Sequence, residues 1–257
     1  MTPVEKNRLA YLLLFTILVI PNRSVLGIMK NLIAVSSLLF ALLALPQTGT
    51  AVPLLLSGDT AGSTEGLGNF SGLLTYTPID ATSATLEIML HNTTPVGGGF
   101  LVAFVLNNPD DLITAISLSS TDPDFELLGA APFDGTTDVP AAPFGDYDFG
   151  AASTGQFEGG GSPNTGIPVS TTETFTFSLT GLMLDTLSEE SFVSAFPTGV
   201  GGECCDEWMV VRFRGIEAGE GSDKVPTNFT PVPEPSTLLL VGLGLTGLVL
   251  WRRHRAS

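Results

Sequence analysis

Hydrophobic and polar positions alternate with a period of two along the middle of the chain. Thr85 to His91 places Leu86, Ile88 and Leu90 on one face, and Thr174 to Leu179 sets Phe175, Phe177 and Leu179 against threonine and serine. Such alternation marks half-buried β-strands. Trp208 to Arg214 follows the same rule, with Met209, Val211 and Phe213 expected inward and Arg212 and Arg214 outward. Phe100 to Leu106 is apolar throughout, which predicts a central strand covered on both faces. Leu112 to Leu118 is a further strand, and Phe70 to Thr77 and Phe144 to Phe149 carry fainter versions of the pattern. Gly, Pro, Asn and Asp gather over Thr93–Gly99, Asn107–Asp111, Asp134–Pro143 and Gly155–Gly166, which are expected as connections. One helix is expected over Leu187–Phe196, with Thr186 and Glu189 at capping-box spacing and Phe192 and Phe196 on one face. Many short strands with turn-rich links predict an all-β fold, an antiparallel β-sandwich with one short helix. A jelly roll is one topology left open.

The ends follow different rules. Leu9 to Ile20 is an apolar run of twelve, and Leu32 to Leu45 is a second behind Met29 and Lys30. The second, followed by Gly49 and Ala51 at the small-residue positions, has the parts of a secretory signal, with cleavage expected after Ala51. Two stacked runs suggest a true start at Met29; a long signal or a membrane hairpin are the alternatives. At the other end, Thr237 to Trp251 carries seven leucines, two valines and no charge, and Arg252, Arg253 and Arg255 follow. Fifteen helical residues reach about 23 Å, short for a ~30 Å hydrocarbon core but close to spanning it. The arginines favour the cytoplasmic side, which puts the middle of the chain outside.

Charge sharpens this picture. The chain of 257 residues has 10 basic and 26 acidic residues and a net charge of −16. Only Glu5 and Glu234 among the acids lie outside 52–231, and Arg212, Arg214 and Lys224 are the only bases inside, so that segment carries −21. This excludes a nucleic-acid binder, which needs a cationic face. The division expected is a targeting region over 1–51, a β-sandwich ectodomain over 52–216, a flexible Gly- and Pro-rich stalk over 217–231 and a tail over 232–257.

The tail, Val232-Pro233-Glu234-Pro235, a short apolar helix and a terminal arginine cluster, resembles the PEP-CTERM sorting signal of exported bacterial proteins. The resemblance covers about a tenth of the chain. It implies that Val232, Pro233, Glu234 and Pro235 form the recognition element and that Arg252, Arg253 and Arg255 stop translocation. It further implies the secretion machinery and an exosortase-type membrane transpeptidase as partners, in a Gram-negative-type bacterium that makes exopolysaccharide. The protein would cross the inner membrane as an anchored precursor and end at the cell surface or in the extracellular matrix.

Candidate chemistry in the middle is thin. His91 is the only histidine there, ending a strand beside Asn92, and no Gly-x-Ser-x-Gly elbow occurs. Acidic residues two apart, as in Asp122-Pro123-Asp124-Phe125-Glu126 and Asp146-Tyr147-Asp148, suit either solvated loops or calcium. If calcium binds, Asp122, Asp124 and Glu126 are the first candidates. Gly159-Gly160-Gly161 lacks the lysine and helix of a phosphate loop. Cys204 and Cys205 are adjacent, so a strained ring, a cross-link to another chain and free thiols all stay open. The expectation is a non-enzymatic ectodomain that binds extracellular polysaccharide or neighbouring proteins. A secreted carbohydrate-active hydrolase and a permanently anchored surface protein are the rivals.

Overall fold

The alternating segments pair into antiparallel sheets. A computed structural model describes residues 52–95, 99–129, 138–153, 155–159, 163–198, 206–216 and 221–232. All belong to the unit that begins at Ala51. Both N-terminal apolar runs, the adjacent cysteines and the tail from residue 233 onward lie outside the described residues.

The strands are β1 (Leu54–Gly58), β2 (Phe70–Asp80), β3 (Ser83–Asn92), β4 (Phe100–Leu106), β5 (Ile113–Ser120), β6 (Glu126–Leu128) and β7 (Val139–Pro140). They continue with β8 (Asp146–Tyr147), β9 (Phe149–Ala152), β10 (Ile167–Pro168), β11 (Thr172–Gly181), β12 (Met209–Ile216), β13 (Gly221–Pro226) and β14 (Asn228–Pro231). One sheet has the order β14-β1-β2-β3-β11-β5. The second has the order β13-β12-β4-β9-β6, with β10 also paired to β4, and β7 and β8 form a small ribbon.

The two large sheets bury facing side chains in one core. Leu86, Ile88, Leu90, Phe175 and Phe177 of the first sheet meet Phe104, Leu106, Phe149 and Phe213 of the second. The rings of Phe104 and Phe175 lie edge-on at 4.8 Å, and those of Phe149 and Phe177 at 5.5 Å, a favoured aromatic geometry. Gly150 lets β9 lie close to β4, since a Cβ there would sit 2.0 Å from the Phe104 carbonyl oxygen.

A second apolar cluster lies on the far side of the second sheet. It joins Ala103 and Val105 of β4 and Val210 of β12 to Val139, Phe144, Tyr147 and Phe157. The segment around 138–159 therefore covers that face, and β4 is buried on both sides as its apolar run predicts. Val102 is an extra residue in the β4–β12 register, which keeps both Leu101 and Phe104 in the main core. Such a bulge turns one strand's side chains without breaking the pair.

The same cover overturns one expectation. Met209, Val211 and Phe213 point into the core, but Arg212 is 8 % exposed rather than outward in solvent. Its guanidinium donates to the carbonyl oxygens of Phe157 and of Gly159. Phe144–Phe149 divides between β8 and β9, because Asp148 leaves the ladder to bind Asn108.

The expected ten-residue helix is a single turn, α1 (Glu189–Val193). Ser188, not Thr186, takes the N-cap position, and Ser191 Oγ accepts the Ser188 N–H at 3.1 Å. Thr186 belongs to a preceding 3₁₀ turn, where its hydroxyl donates to the Met183 carbonyl. Phe192 is buried but Phe196 is exposed beyond the helix end. Glu189 is buried and accepts the N–H of Tyr76 on β2, a tertiary bond in place of a capping one.

The expected stalk is also corrected. Residues 221–226 and 228–231 are β13 and β14, each completing one large sheet. The folded region therefore runs to residue 231 rather than 216. Glycine and acid content concealed the strand Ser222–Val225, in which Asp223 and Val225 are both inward and buried.

Candidate functional site

The point where the tail joins the fold is the edge strand β14. Its register with β1 is Leu54 to Pro231, Leu55 to Thr230, Leu56 to Phe229 and Ser57 to Asn228. The ladder extends one residue further, where the Val232 N–H donates to the Pro53 carbonyl at 3.0 Å. The first strand of the folded unit thus holds its last strand. β14 forms because Phe229 reaches the Trp208 ring edge-on at 6.2 Å, while Trp208 Nε1–H fixes the preceding Thr227 carbonyl at 2.9 Å. All four β14 residues are exposed, and Pro231 occupies an outward-facing edge position, where its missing N–H costs no bond to β1. Of the recognition residues expected from sequence, Val232 is placed here. Pro233, Glu234, Pro235, Arg252, Arg253 and Arg255 lie outside the described residues.

The neighbouring strand carries the most heavily bonded carboxylate of this region. Asp223 is 1 % exposed and accepts the Thr64 hydroxyl at 3.0 Å and the Glu65 N–H at 2.8 Å on one oxygen. Its other oxygen accepts the Leu67 and Gly68 N–H groups at 2.8 and 2.7 Å. Burial alone would raise its pKa; the donated hydrogen bonds outweigh that and hold it below the ordinary aspartate value. This carboxylate ties the β1–β2 connection to β13. From sequence it falls in the expected flexible stalk over 217–231, where glycine and acids hide the strand.

The candidate metal residues stay apart in role. Asp122 Oδ1 accepts the Asp124 N–H at 2.9 Å in a tight turn, and Asp122 N–H binds Ser120 Oγ at 3.2 Å. Glu126 stands on β6, exposed. Among the described residues no group of three His, Cys, Asp or Glu side chains could hold a metal ion. His91 Nδ1 lies 3.0 Å from the Thr171 carbonyl and 2.8 Å from Thr172 Oγ1, at the end of the β3–β11 pair.

Two carboxyl groups have raised pKa values. Burial lifts Asp148 despite the Asn108 N–H it accepts at 2.7 Å, and the charges of Asp138 and Asp111 add to the effect. Burial, with the charge of Asp206, lifts Glu207, whose carbonyl accepts the Tyr147 hydroxyl at 2.6 Å. Tyr76 is pushed up to about 12, chiefly by burial, and its hydroxyl donates to the Leu184 carbonyl at 2.7 Å. These are groups that hold elements together. An open polar groove of about 340 Å³ beside α1 is lined by Asp110, Glu190 and three serines.

No helix among the described residues is long and apolar enough to cross a membrane. No curated protein and no solved structure matches the chain. The family model of the PEP-CTERM protein-sorting motif matches residues 231–255, beginning on the last residue of β14. That motif implies export, a membrane-anchored precursor and processing by exosortase, a membrane enzyme. The chain therefore carries a PEP-CTERM sorting signal directly behind the edge strand of its β-rich unit.

Proposed function

We propose that this is an exported surface or matrix protein whose β-sandwich ectodomain is delivered by its tail and then released or attached at the cell envelope. The observation that carries the reading is the continuity of the sorting motif with β14, so that the tail follows the fold with almost no linker. Thr237–Trp251 would hold the precursor in the membrane, with Arg252, Arg253 and Arg255 on the cytoplasmic side. Val232 to Pro235 would present the recognition element just outside the folded edge. The ectodomain has a binding or structural role without catalysis of its own. Its surface charge disfavours acidic polymers unless a divalent ion bridges, so a neutral extracellular polysaccharide or a neighbouring protein is the fitting partner.

Intact mass with terminal peptide mapping, on protein from an exopolysaccharide-producing bacterial host, tests the processing. The expected mature chain begins at Val52 and lacks everything after the Val232–Ser236 region. A mature chain that still ends in Ala256-Ser257 would sink the processing claim and leave a permanently anchored protein.

A further inference from the structure

We propose that the tip of the first sheet bearing Ile79, Leu182 and Met183 rests on a zwitterionic lipid surface while the tail holds the chain there. The proposal rests on the reading that Thr237–Trp251 enters a membrane.

The strand registers place the tip and the tail at one end of the sheet. Leu54 is paired with both Pro231 and Leu74, and β14 and β2 both run antiparallel to β1. The chain leaving β14 therefore heads toward the end of β2 that carries Ile79. Ile79 lies five residues past Leu74, about 17 Å along the strand. Six residue steps separate Pro231 from Thr237 and can span at most about 20 Å. The uncharged stretch therefore begins within that reach of Pro231, a distance comparable to that between Leu74 and Ile79.

Met183 and Leu182 share that tip. The Gly181 N–H donates to Thr82 and the Leu184 N–H to Ala81, each at 3.0 Å, so both residues flank the β2–β3 turn. Ile79 is 68 % exposed, Leu182 62 % and Met183 56 %. They are three of the six large apolar side chains exposed among the described residues. An apolar tip facing the direction in which a membrane segment leaves has a ready occupant in the lipid interface. Asp80 and Asp185 stand beside it, so anionic headgroups repel the tip and the tether must supply the local concentration.

The test uses the full chain in phosphatidylcholine vesicles with acyl-brominated lipid, which quenches nearby tryptophan. In a Trp251→Phe background, with the emission of the buried Trp208 in that parent subtracted, Leu182→Trp and Ile79→Trp are expected to be quenched at least about threefold more than Thr60→Trp, at the opposite end of β1, since an interfacial contact buries apolar groups to acyl depth. Quenching at the tip no greater than at Thr60 would overturn the proposal. Blue-shifted tip emission without quenching would place a second copy there and overturn it equally. The emission of Trp251, taken as the difference between the unchanged chain and its Trp251→Phe variant, separates the two readings. If Trp251 is quenched and the tip is not, the anchor stands and the docking fails. If neither is quenched, the anchor reading fails and the docking proposal goes with it.

Discussion

The Val232 N–H donates to the Pro53 carbonyl at 3.0 Å, joining the two ends of the folded unit one residue before the Pro-Glu-Pro element. Any extension of the tail away from the fold pulls on that bond and then on the four β14 pairs. Because β14 is exposed along its whole length and held on one edge only, its local opening should require far less than global unfolding. Hydrogen exchange should show the amides of Thr230 and Val232, which point at β1 in the alternating antiparallel ladder, exchanging at least about a hundredfold faster than those of Leu86 and Ile88, a gap of about 3 kcal/mol. Equal protection at both places would make β14 part of the global core.

Phe177 and Phe196 are alike in sequence hydrophobicity and opposite in structural weight. Phe177 is fully buried and its ring meets Phe104 at 6.1 Å and Phe149 at 5.5 Å, across the two sheets. Phe177→Ala should cost about 3–5 kcal/mol in denaturant unfolding. Phe196→Ser, at a half-exposed position past α1, should stay within about 0.5 kcal/mol of the parent chain.

That contrast shows how far the sequence could be read. Alternation found β3, β11 and β12 because one face of each is in the core, a pattern with a fixed period. It could not find β1 or β14, which are too short to show a period, nor β13, whose inward Asp223 replaces an apolar residue. It misjudged Arg212 because the cover over the second sheet comes from a Gly- and Pro-rich segment with no period of its own. Of the candidate site, the tail motif was legible because its chemistry is local. Its junction with β1 was not, since Pro53 and Val232 meet only through folding.

Arg212 should be a structural cation. Its guanidinium holds the Phe157 and Gly159 carbonyls, and Lys224 pairs with Glu158 between them. Arg212→Met fills similar apolar volume but leaves two carbonyls without their donor. A loss of about 2–3 kcal/mol is expected, with new limited-proteolysis cleavage between Phe157 and Pro163. A variant as stable and as protease-resistant as the parent would show that the loop holds itself.

Asp148 should behave in the opposite sense to an ordinary paired carboxylate. Its folded pKa is raised, chiefly by burial, so the folded state holds the proton more tightly than the unfolded chain. Stability therefore falls as pH rises from the ordinary aspartate value through the folded one. Asp148→Asn keeps an oxygen for the Asn108 N–H and removes the charge. Thermal melts at pH 7 should find the variant equal to or slightly more stable than the parent, with any advantage disappearing in acid. A clear loss at pH 7 would show that the charge itself is needed.

Asp223 supplies the converse case. Four donors converge on its carboxylate, and its folded pKa lies below the ordinary value. The unfolded chain takes up the proton first as pH falls, so the stabilisation is complete above the ordinary aspartate pKa near 4 and fades as pH drops through the folded one. Asp223→Asn retains one acceptor oxygen and turns an NH₂ group toward a pair of donors, either Thr64 and Glu65 or Leu67 and Gly68. Losing charge-assisted bonds and leaving buried amides unpaired should cost about 2–4 kcal/mol at pH 7. The difference between parent and variant in urea midpoint should shrink steadily below pH 4, because protonation removes from the parent the charge the variant already lacks. A difference that stayed constant down to pH 2 would show that shape, and not charge, makes this residue the tie between β13 and the β1–β2 connection.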